Sequence, residues 1–589
     1  MKHRLHRLLI ILPALLVAGL VAFDLGHGKA QAQFAGLGNA GFTVPPCTLP
    51  FDMGCYLPGG THEDPDVAFA NADIINTENA TVNRILHSPP TTLYQQLGLL
   101  GKAEIYDMNL SVNRNLACAT CHLADDGFKG PASLFNNTIV ALPGSVPITN
   151  VGFNNGRTFG MRHPDERTSQ RNPMTYAYAP FFQPLAFNAL AQQFIGGNFW
   201  DMRATGDRIG NPAAEQAEGP PLNPVEMALP DEGCVVYRLS LSKYAGLFKQ
   251  VFGAQVFDIH FPSNVVQVCS MPGGLPAGNV TSSAVYKPGN NPVILKLSPR
   301  DRGQVGATFD FFAEAIAAYE ASPAVSPFSS KFDAVLQGKA TFTASEERGF
   351  ILFNGKAICA TCHTDSLTVS GTNARLGGAA AAGKMIDGIR VGGPHVVIRF
   401  RGQIVSQSDS ALFTNEEAVN LGIPKDWQIP YLYENKPDQF GYVANSLGPN
   451  FVDFGVGAFL LSNNNPNPFW RQFAPQYMGA FQTVTLRDVD KRIRPNFVKG
   501  YMHNGYLKSL KEVVHFYNTR DVLPRCPPFT SPFTRPPGEG VTCWSAPEVA
   551  QNENKMIGNL HLTPQDENDL VAFLKTLTDG FIAVPTDGL

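Results

Sequence analysis

A mainly α fold in two lobes, with long loops and a few short strands, is what the amino-acid sequence predicts, and three observations carry that reading. The pentapeptide Cys-Ala-Thr-Cys-His occurs twice, at Cys118 to His122 and at Cys359 to His363. The copies stand 241 residues apart, too far for a single compact lobe and suited to two. Helix-start signals precede the second copy and recur near the C-terminus. Charged residues make up only 16% of the 589 residues while Gly and Pro number 55 and 46, the composition of a large core wrapped in long ordered loops.

Taken in order, the chain opens with basic Lys2, Arg4 and Arg7, an apolar run from Leu8 to Phe23, and Ala30-Gln31-Ala32. That succession predicts a secretory signal peptide over residues 1–32, cleaved after Ala32. The apolar run contains Pro13 and is short for a bilayer span. Nothing later is long and apolar enough to cross a membrane, so a periplasmic, exported product with no membrane span after cleavage is expected. The formal net charge of −4 leaves no basic footprint for nucleic acid.

Residues 33–66 read as a Gly/Pro-rich extended lead-in. Helical periodicity over Leu93 to Leu100 leads into the first pentapeptide, and a Gly/Asn-rich loop from Leu123 to Asn172 follows it. The segment Ala186 to Phe194 reads as helical, as does Phe311 to Tyr319. A boundary near Ser322 to Pro327 divides the chain into a first domain, 67–325, and a second, 326–589. Thr343-Ala344-Ser345-Glu346 is a capping box opening the helix before the second pentapeptide. The stretch from Ser366 to Thr485 is loop-rich, with apolar runs such as Val396 to Phe400 able to pair as short strands. Thr563-Pro564 caps the last helix, whose apolar face is Leu570, Val571, Leu574 and Leu577. Six cysteines lie outside the pentapeptides, and in an exported chain local pairing is expected: Cys47 with Cys55, Cys234 with Cys269, Cys526 with Cys543.

A Cys-x-x-Cys-His run is the attachment signature of c-type haem. Two thiols two residues apart can add across the vinyl groups of one porphyrin, and the next histidine becomes the proximal iron ligand. A thioredoxin-type motif would not require the His, and a zinc site would want a second Cys or His pair close by. The sequence therefore predicts two covalently bound c-type haems, on Cys118, Cys121 and His122 and on Cys359, Cys362 and His363, each in a cytochrome-c-like domain.

Further strings carry a family resemblance. Phe199-Trp200-Asp201-Met202-Arg203, then Gln216-Ala217-Glu218-Gly219-Pro220, then Asn223-Pro224-Val225-Glu226-Met227 resemble the bacterial di-haem cytochrome c peroxidases and their MauG-type relatives. Met202 stands where the family customarily has Gly. A later string, Tyr501-Met502-His503-Asn504-Gly505 running into Leu510 to Tyr517, is similar to the family's second-domain signature. Splitting peroxide requires a proton to leave the near oxygen and another to reach the leaving oxygen, which a carboxylate beside an open iron site can manage. The resemblance implies that carboxylate is Glu226, with Gln216 orienting the peroxide and Trp200 lying between the haems to carry electrons. Asp201 and Arg203 read as an ion pair that fixes the segment.

The second haem needs a sixth ligand to shuttle electrons without opening a reaction site. The resemblance puts Met there in the peroxidases and Tyr in the MauG type, and here the position is Tyr517. Met502 and His515 are the rival ligands, and a purely structural place on an apolar helix face is open to Tyr517 as well. A phenolate lowers the potential where a thioether raises it. His163, the only histidine in the loop after the first motif, is farther from His122 than the family's capping His and reads as structural. The resemblance also implies a calcium ion between the domains, on the Asn172 side chain and the Val498 and Gly500 carbonyls. Any residue offers a carbonyl, so the side chains neither support nor exclude the ion.

The function implied is reduction of hydrogen peroxide with electrons from a small redox protein, a cytochrome c or cupredoxin. The alternatives are a MauG-like oxidase acting on a protein or organic substrate, and a non-catalytic electron carrier with both irons six-coordinate.

Overall fold

The computed structural model describes residues 65–130, 166–274, 294–364, 411–492, 497–529 and 534–582, with short strand segments between them. The predicted signal peptide, Cys47, the Cys55 thiol and His163 lie outside the described residues. Helices dominate, and every sheet among the described residues is a two-stranded antiparallel pair.

Each lobe is built on one helix crossing. In the first, the helix Leu93–Ile105 is capped by the Thr92 hydroxyl, which accepts from the Gln95 amide. It crosses the long helix Pro299–Glu320 at Gly101, where an added Cβ would fall 1.9 Å from the Ala315 carbonyl oxygen. In the second, the predicted capping box of Thr343 and Glu346 opens the helix Ala344–Asn354. That helix crosses Pro564–Lys575 at Gly349, where a Cβ would fall 1.9 Å from the Asp569 carbonyl oxygen. Glycine lets two backbones meet without a side chain between them. The device is thus repeated on the helix that precedes each Cys-x-x-Cys-His run.

Around these crossings lie separate apolar cores. One collects Leu97, Leu100, Phe248, Phe312 and Ile316, the other Phe350, Phe353, Phe413, Phe573 and Leu574. Along the chain the buried residues pass from the first to the second between Val325 and Phe332, with Leu412 returning to the first. A third cluster joins Leu185, Phe194 and Met202 to Val456, Phe459 and Tyr477, so part of the loop-rich insertion packs against the first half of the chain.

Several local expectations hold. Val396–Phe400 pairs with Gln403–Ser408, and Pro564 occupies the first turn of the last helix beneath the Thr563 cap. Disulfides join Cys234 to Cys269 and Cys526 to Cys543.

Others need correction. Ala186 to Phe194 is a hairpin, Ala186–Asn188 against Gln193–Ile195, and not a helix. Its turn is set by the Asn188 side chain, which accepts from the Leu190 and Ala191 amides, and by Gln192 at φ 55°. Phe187 and Phe194 pair across the strands and both meet Phe473, a contact that tertiary packing supplies and local periodicity does not. The helix Pro65–His87 was not foreseen and begins within the predicted lead-in. From residue 73 onward its buried apolar residues are Ile74, Val82 and Ile85. Among the described residues, no helix is long and apolar enough to cross a membrane.

Replacing Gly349 with Val forces a branched side chain into the helix crossing of the second lobe. Denaturant unfolding is expected to show a loss of about 2–3 kcal/mol, while Val at Gly246, which meets nothing within 4 Å, perturbs the lobe crossings far less.

Candidate functional site

Both pentapeptides open into cavities. The first, about 420 Å³, is lined by Cys118, Cys121, His122, Trp200, Gln216 and Glu226 among others. The second, about 180 Å³, is lined by Cys359, Cys362, His363, Trp200, Met502 and Tyr517 among others. Trp200 belongs to both walls.

Cys118–Cys121 forms a single helical turn, and Cys359–Thr361 a tighter one. Each places its histidine in the same way. The Nδ1 atom of His122 lies 3.0 Å from the Phe128 carbonyl, and that of His363 lies 3.1 Å from the Phe413 carbonyl. A carbonyl can only accept, so Nδ1 carries the proton and Nε2 keeps its lone pair for a metal. Burial lowers the basicity of both rings, that of His363 to about 4. All four motif thiols are free, whereas the other described thiols are oxidised. Paired thiols beside an imidazole with a free Nε2, facing a cavity, are the donor set that a c-type haem requires.

In the first cavity, Glu226 Oε1 accepts a 2.6 Å hydrogen bond from Asn223 Nδ2. Burial raises the Glu226 carboxyl above its ordinary range, opposed by the Arg203 charge and the Asn223 bond. Gln216 is carried on the helix Pro212–Ala217, capped by Asn211. Its neighbour Glu215 is occupied with the amides of Gly206, Arg208 and Ile209, which folds the preceding loop beneath it. Tyr431 and Tyr442, from the insertion, complete part of the wall. Tyr442 is tied in by Arg167, which pairs with Asp438 and lies 4.1 Å over the Tyr442 ring. Nothing local in the sequence announces this contribution from more than 200 residues away. Asn223 was legible only as part of its Asn-Pro string.

Trp200 is held at both ends. Its Nε1 donates to the Asn172 carbonyl at 2.7 Å, and its own carbonyl accepts from the Gln482 amide at 2.8 Å. Toward the second cavity its ring meets His503 edge-on at 6.5 Å, and His503 stacks on Phe481 at 3.6 Å. Met202, at the family's customary glycine, adopts φ 61°, the left-handed conformation that glycine takes without strain. Its fully buried side chain packs in the third core, which offsets that strain.

In the second cavity Tyr517 comes from the helix Leu510–Thr519, and burial pushes its phenol well above its ordinary range. Met502, at φ 70°, also reaches the wall. His515 does not line it, because its Nδ1 is 2.9 Å from Glu567 Oε1. Met556, which was not foreseen, lines the cavity from a loop. The proposed calcium ligands Asn172 and Gly500 do meet, but through the amide nitrogen of Asn172, whose Nδ2 lies 3.1 Å from the Gly500 carbonyl. Among the described residues no group of three or more His, Cys, Asp or Glu could hold a metal ion.

Comparison with known proteins agrees with the strings read above. Residues 95–270 match the family model of di-haem cytochrome c peroxidase. The chain is 29% identical over 490 residues to the methylamine utilization protein MauG of Paracoccus denitrificans, across 82% of this chain and 88% of that protein. It is 25% identical over 269 residues to the cytochrome-c peroxidase IdrP1 of Denitromonas iodatirespirans, covering 45% of this chain and about half, 48%, of that one. Among solved structures, the diheme peroxidase BthA of Burkholderia thailandensis aligns with a TM-score of 0.48 at 22% identity, over 91% of this chain and 94% of that one. Residues 95–270 are thus similar to the di-haem cytochrome c peroxidases, and most of the chain is similar to MauG.

Beside Trp200, Arg171 clamps two buried carboxylates, Asp453 at 2.6 and 2.7 Å and Asp201 at 2.8 Å, and Arg203 shares Asp201. Burial alone would raise the Asp453 carboxyl, but Arg171 outweighs it and holds the group at about 2. A depressed folded-state pKa contributes stability that is complete above the unfolded value near 4 and is lost as pH falls through the folded value. Acid titration of unfolding is expected to show on the order of 2 kcal/mol lost from this clamp between about pH 4 and pH 2. Arg171→Met removes that acid dependence and costs about 3–5 kcal/mol at neutral pH, by stranding the buried Asp453 charge and leaving Asp201 to Arg203 alone.

Proposed function

We propose that this protein is a periplasmic oxidoreductase that carries two covalently bound c-type haems and reduces hydrogen peroxide with electrons from a small redox protein. The observation that carries the reading is the convergence of Trp200, Gln216 and Glu226 on the cavity of the first haem motif, with Trp200 shared by the second. Residues 67–325 form the peroxidatic domain and 326–589 the electron-transfer domain.

Bound haem supplies iron that exchanges electrons with peroxide and with the donor. The balance is one peroxide, two protons and two electrons giving two waters, the electrons arriving singly from a cytochrome c or cupredoxin. Glu226 takes the proton of the near peroxide oxygen on the carboxylate oxygen not held by Asn223, and returns it to the far oxygen as the bond between them breaks. Its burial, which favours the protonated acid, suits a group that must both take and give a proton near neutral pH. The Gln216 amide, on the same wall, orients the peroxide. Trp200 offers its indole as the stepping stone between the cavities, held by the Asn172 carbonyl so that the ring cannot turn. His122 and His363 would hold the two irons through Nε2, and Tyr517, with Met502 the alternative, would supply a further ligand to the second.

A second reading has its own support. The phenol of Tyr517 in the second cavity, together with 29% identity to MauG over most of both chains, favours an oxidase in which oxidising equivalents from peroxide are spent on a protein or organic substrate.

Steady-state peroxide consumption with reduced cytochrome c tests the first reading against the second. Turnover is expected, and Glu226→Gln is expected to lower it by about 100-fold or more with haem content unchanged. Turnover that survives the substitution removes Glu226 from the chemistry, and no turnover with any small donor protein favours the oxidase. Tyr517→Met is expected to raise the midpoint potential of the second haem, read by spectroelectrochemistry. An unchanged potential returns Tyr517 to a structural role.

A further inference from the structure

The place where the family resemblance puts a calcium ion is built differently in this chain. Calcium takes six to eight oxygen ligands, so an asparagine there must turn its carbonyl oxygen toward the backbone carbonyls that share the ion. Asn172 does the opposite, its Nδ2 donating to the carbonyls of both Gly500 and Met502 at 3.1 Å. The Gly500 carbonyl also accepts from the Lys129 ammonium, and Lys129 lies 5.3 Å over the Tyr501 ring.

A second ammonium crosses the other way. Lys499 donates to the carbonyls of Asp126 at 2.8 Å, Lys491 at 3.0 Å and Asp488 at 3.1 Å. Lys129, in the loop after the first haem motif, thus holds the segment that carries Met502 and His503. Lys499, in that segment, holds the loop. Both lysines are buried, Lys129 at 9% and Lys499 at 2% exposure. The seat of Lys499 is tailored: Gly127, at φ 70°, stands where a Cβ would fall 3.2 Å from the ammonium and 2.9 Å from the Asp488 carbonyl. Asp126 is wholly buried, its carboxyl 4.0 Å from the Lys499 ammonium. Its carboxyl is pushed up to about 7 by burial, against the pull of Lys499 and Lys129.

We propose that the Lys129 and Lys499 ammonium groups are the resident cations of this seam, and that the two lobes are joined without a divalent metal. An ammonium donates hydrogen bonds to carbonyl oxygens and needs no oxygen cage, which is the donor and acceptor pattern present here. A divalent ion set among the same carbonyls would compete for acceptors that the two buried amines already hold, and burial lowers both lysines, Lys129 to about 7. The Asp126 carboxylate and Asn172 Oδ1 keep buried oxygens without hydrogen-bond partners, and a metal would recruit them if it displaced the lysines. Metal content therefore decides the point. The proposal is independent of which oxidation the haems perform, since neither readout is activity.

The test uses purified holoprotein equilibrated against calcium-containing buffer and then desalted. Elemental analysis is expected to find well under one calcium per chain, and the melting temperature is expected to be the same with EDTA as with calcium. One calcium per chain, whose removal by EDTA lowers the melting temperature, overturns the proposal. Lys129→Met keeps the length of the side chain and removes its charge, and is expected to lower the melting temperature by about 3–6 °C. A Lys129→Met protein that melts with the wild type also overturns it. Should that variant fail to accumulate, the wild-type calcium content and EDTA response decide alone.

Discussion

One buried asparagine sets the relation between the two halves of the molecule. Asn172 is 1% exposed, and its three N–H donors are all spent across the seam. Its amide donates to the His503 carbonyl at 2.7 Å, its side chain donates to the Gly500 and Met502 carbonyls, and its carbonyl accepts the Trp200 indole. Such groups are costly to leave unpaired away from water, so the seam has one low-energy register. That register puts Trp200 in the walls of both cavities and brings the segment bearing Met502 against the second. The reciprocal lysines act on the same two stretches of chain, and Arg171, next to Asn172, pairs with Asp453 and with Asp201 beside Trp200.

Within each lobe the constraint is more local and is used twice. A helix meets its partner backbone to backbone through Gly101 or Gly349, and the chain then turns through the Cys-x-x-Cys-His run. The histidine is aimed by a carbonyl supplied from elsewhere, Phe128 six residues on in one lobe and Phe413 fifty residues on in the other. Fixing Nδ1 as the donor leaves Nε2 as the metal-facing atom, and no side chain has to be spent on the task. The two lobes thus make equivalent donor sets from unequal lengths of chain.

What could be read from the sequence follows from how local each feature is. The haem motifs, the Thr343 and Thr563 caps and two disulfides are set by residues close together in the chain, and all were legible. Trp200, Gln216 and Glu226 were legible as strings, and the structure brings them to one cavity. The share of Tyr442 in that cavity was not, since it depends on an Arg167–Asp438 pair separated by 271 residues. Ala186 to Phe194 was misread because its apolar residues fit a helical stripe, whereas the Asn188 turn and the Phe187, Phe194 and Phe473 contacts make it a hairpin. Asn172 was legible as a residue between the domains, whereas Lys129 and Lys499, whose amines reach the same seam, carry no local mark.

The division of labour between the cavities is the claim on which the functional account turns, and electron paramagnetic resonance of the purified ferric protein, titrated with peroxide, tests it most directly. The account predicts one high-spin haem signal, from the cavity that holds Glu226, beside one low-spin signal, with the high-spin signal consumed by stoichiometric peroxide. Two low-spin signals that ignore peroxide in both the ferric and the half-reduced protein would contradict it and leave a carrier of electrons in place of a peroxidase.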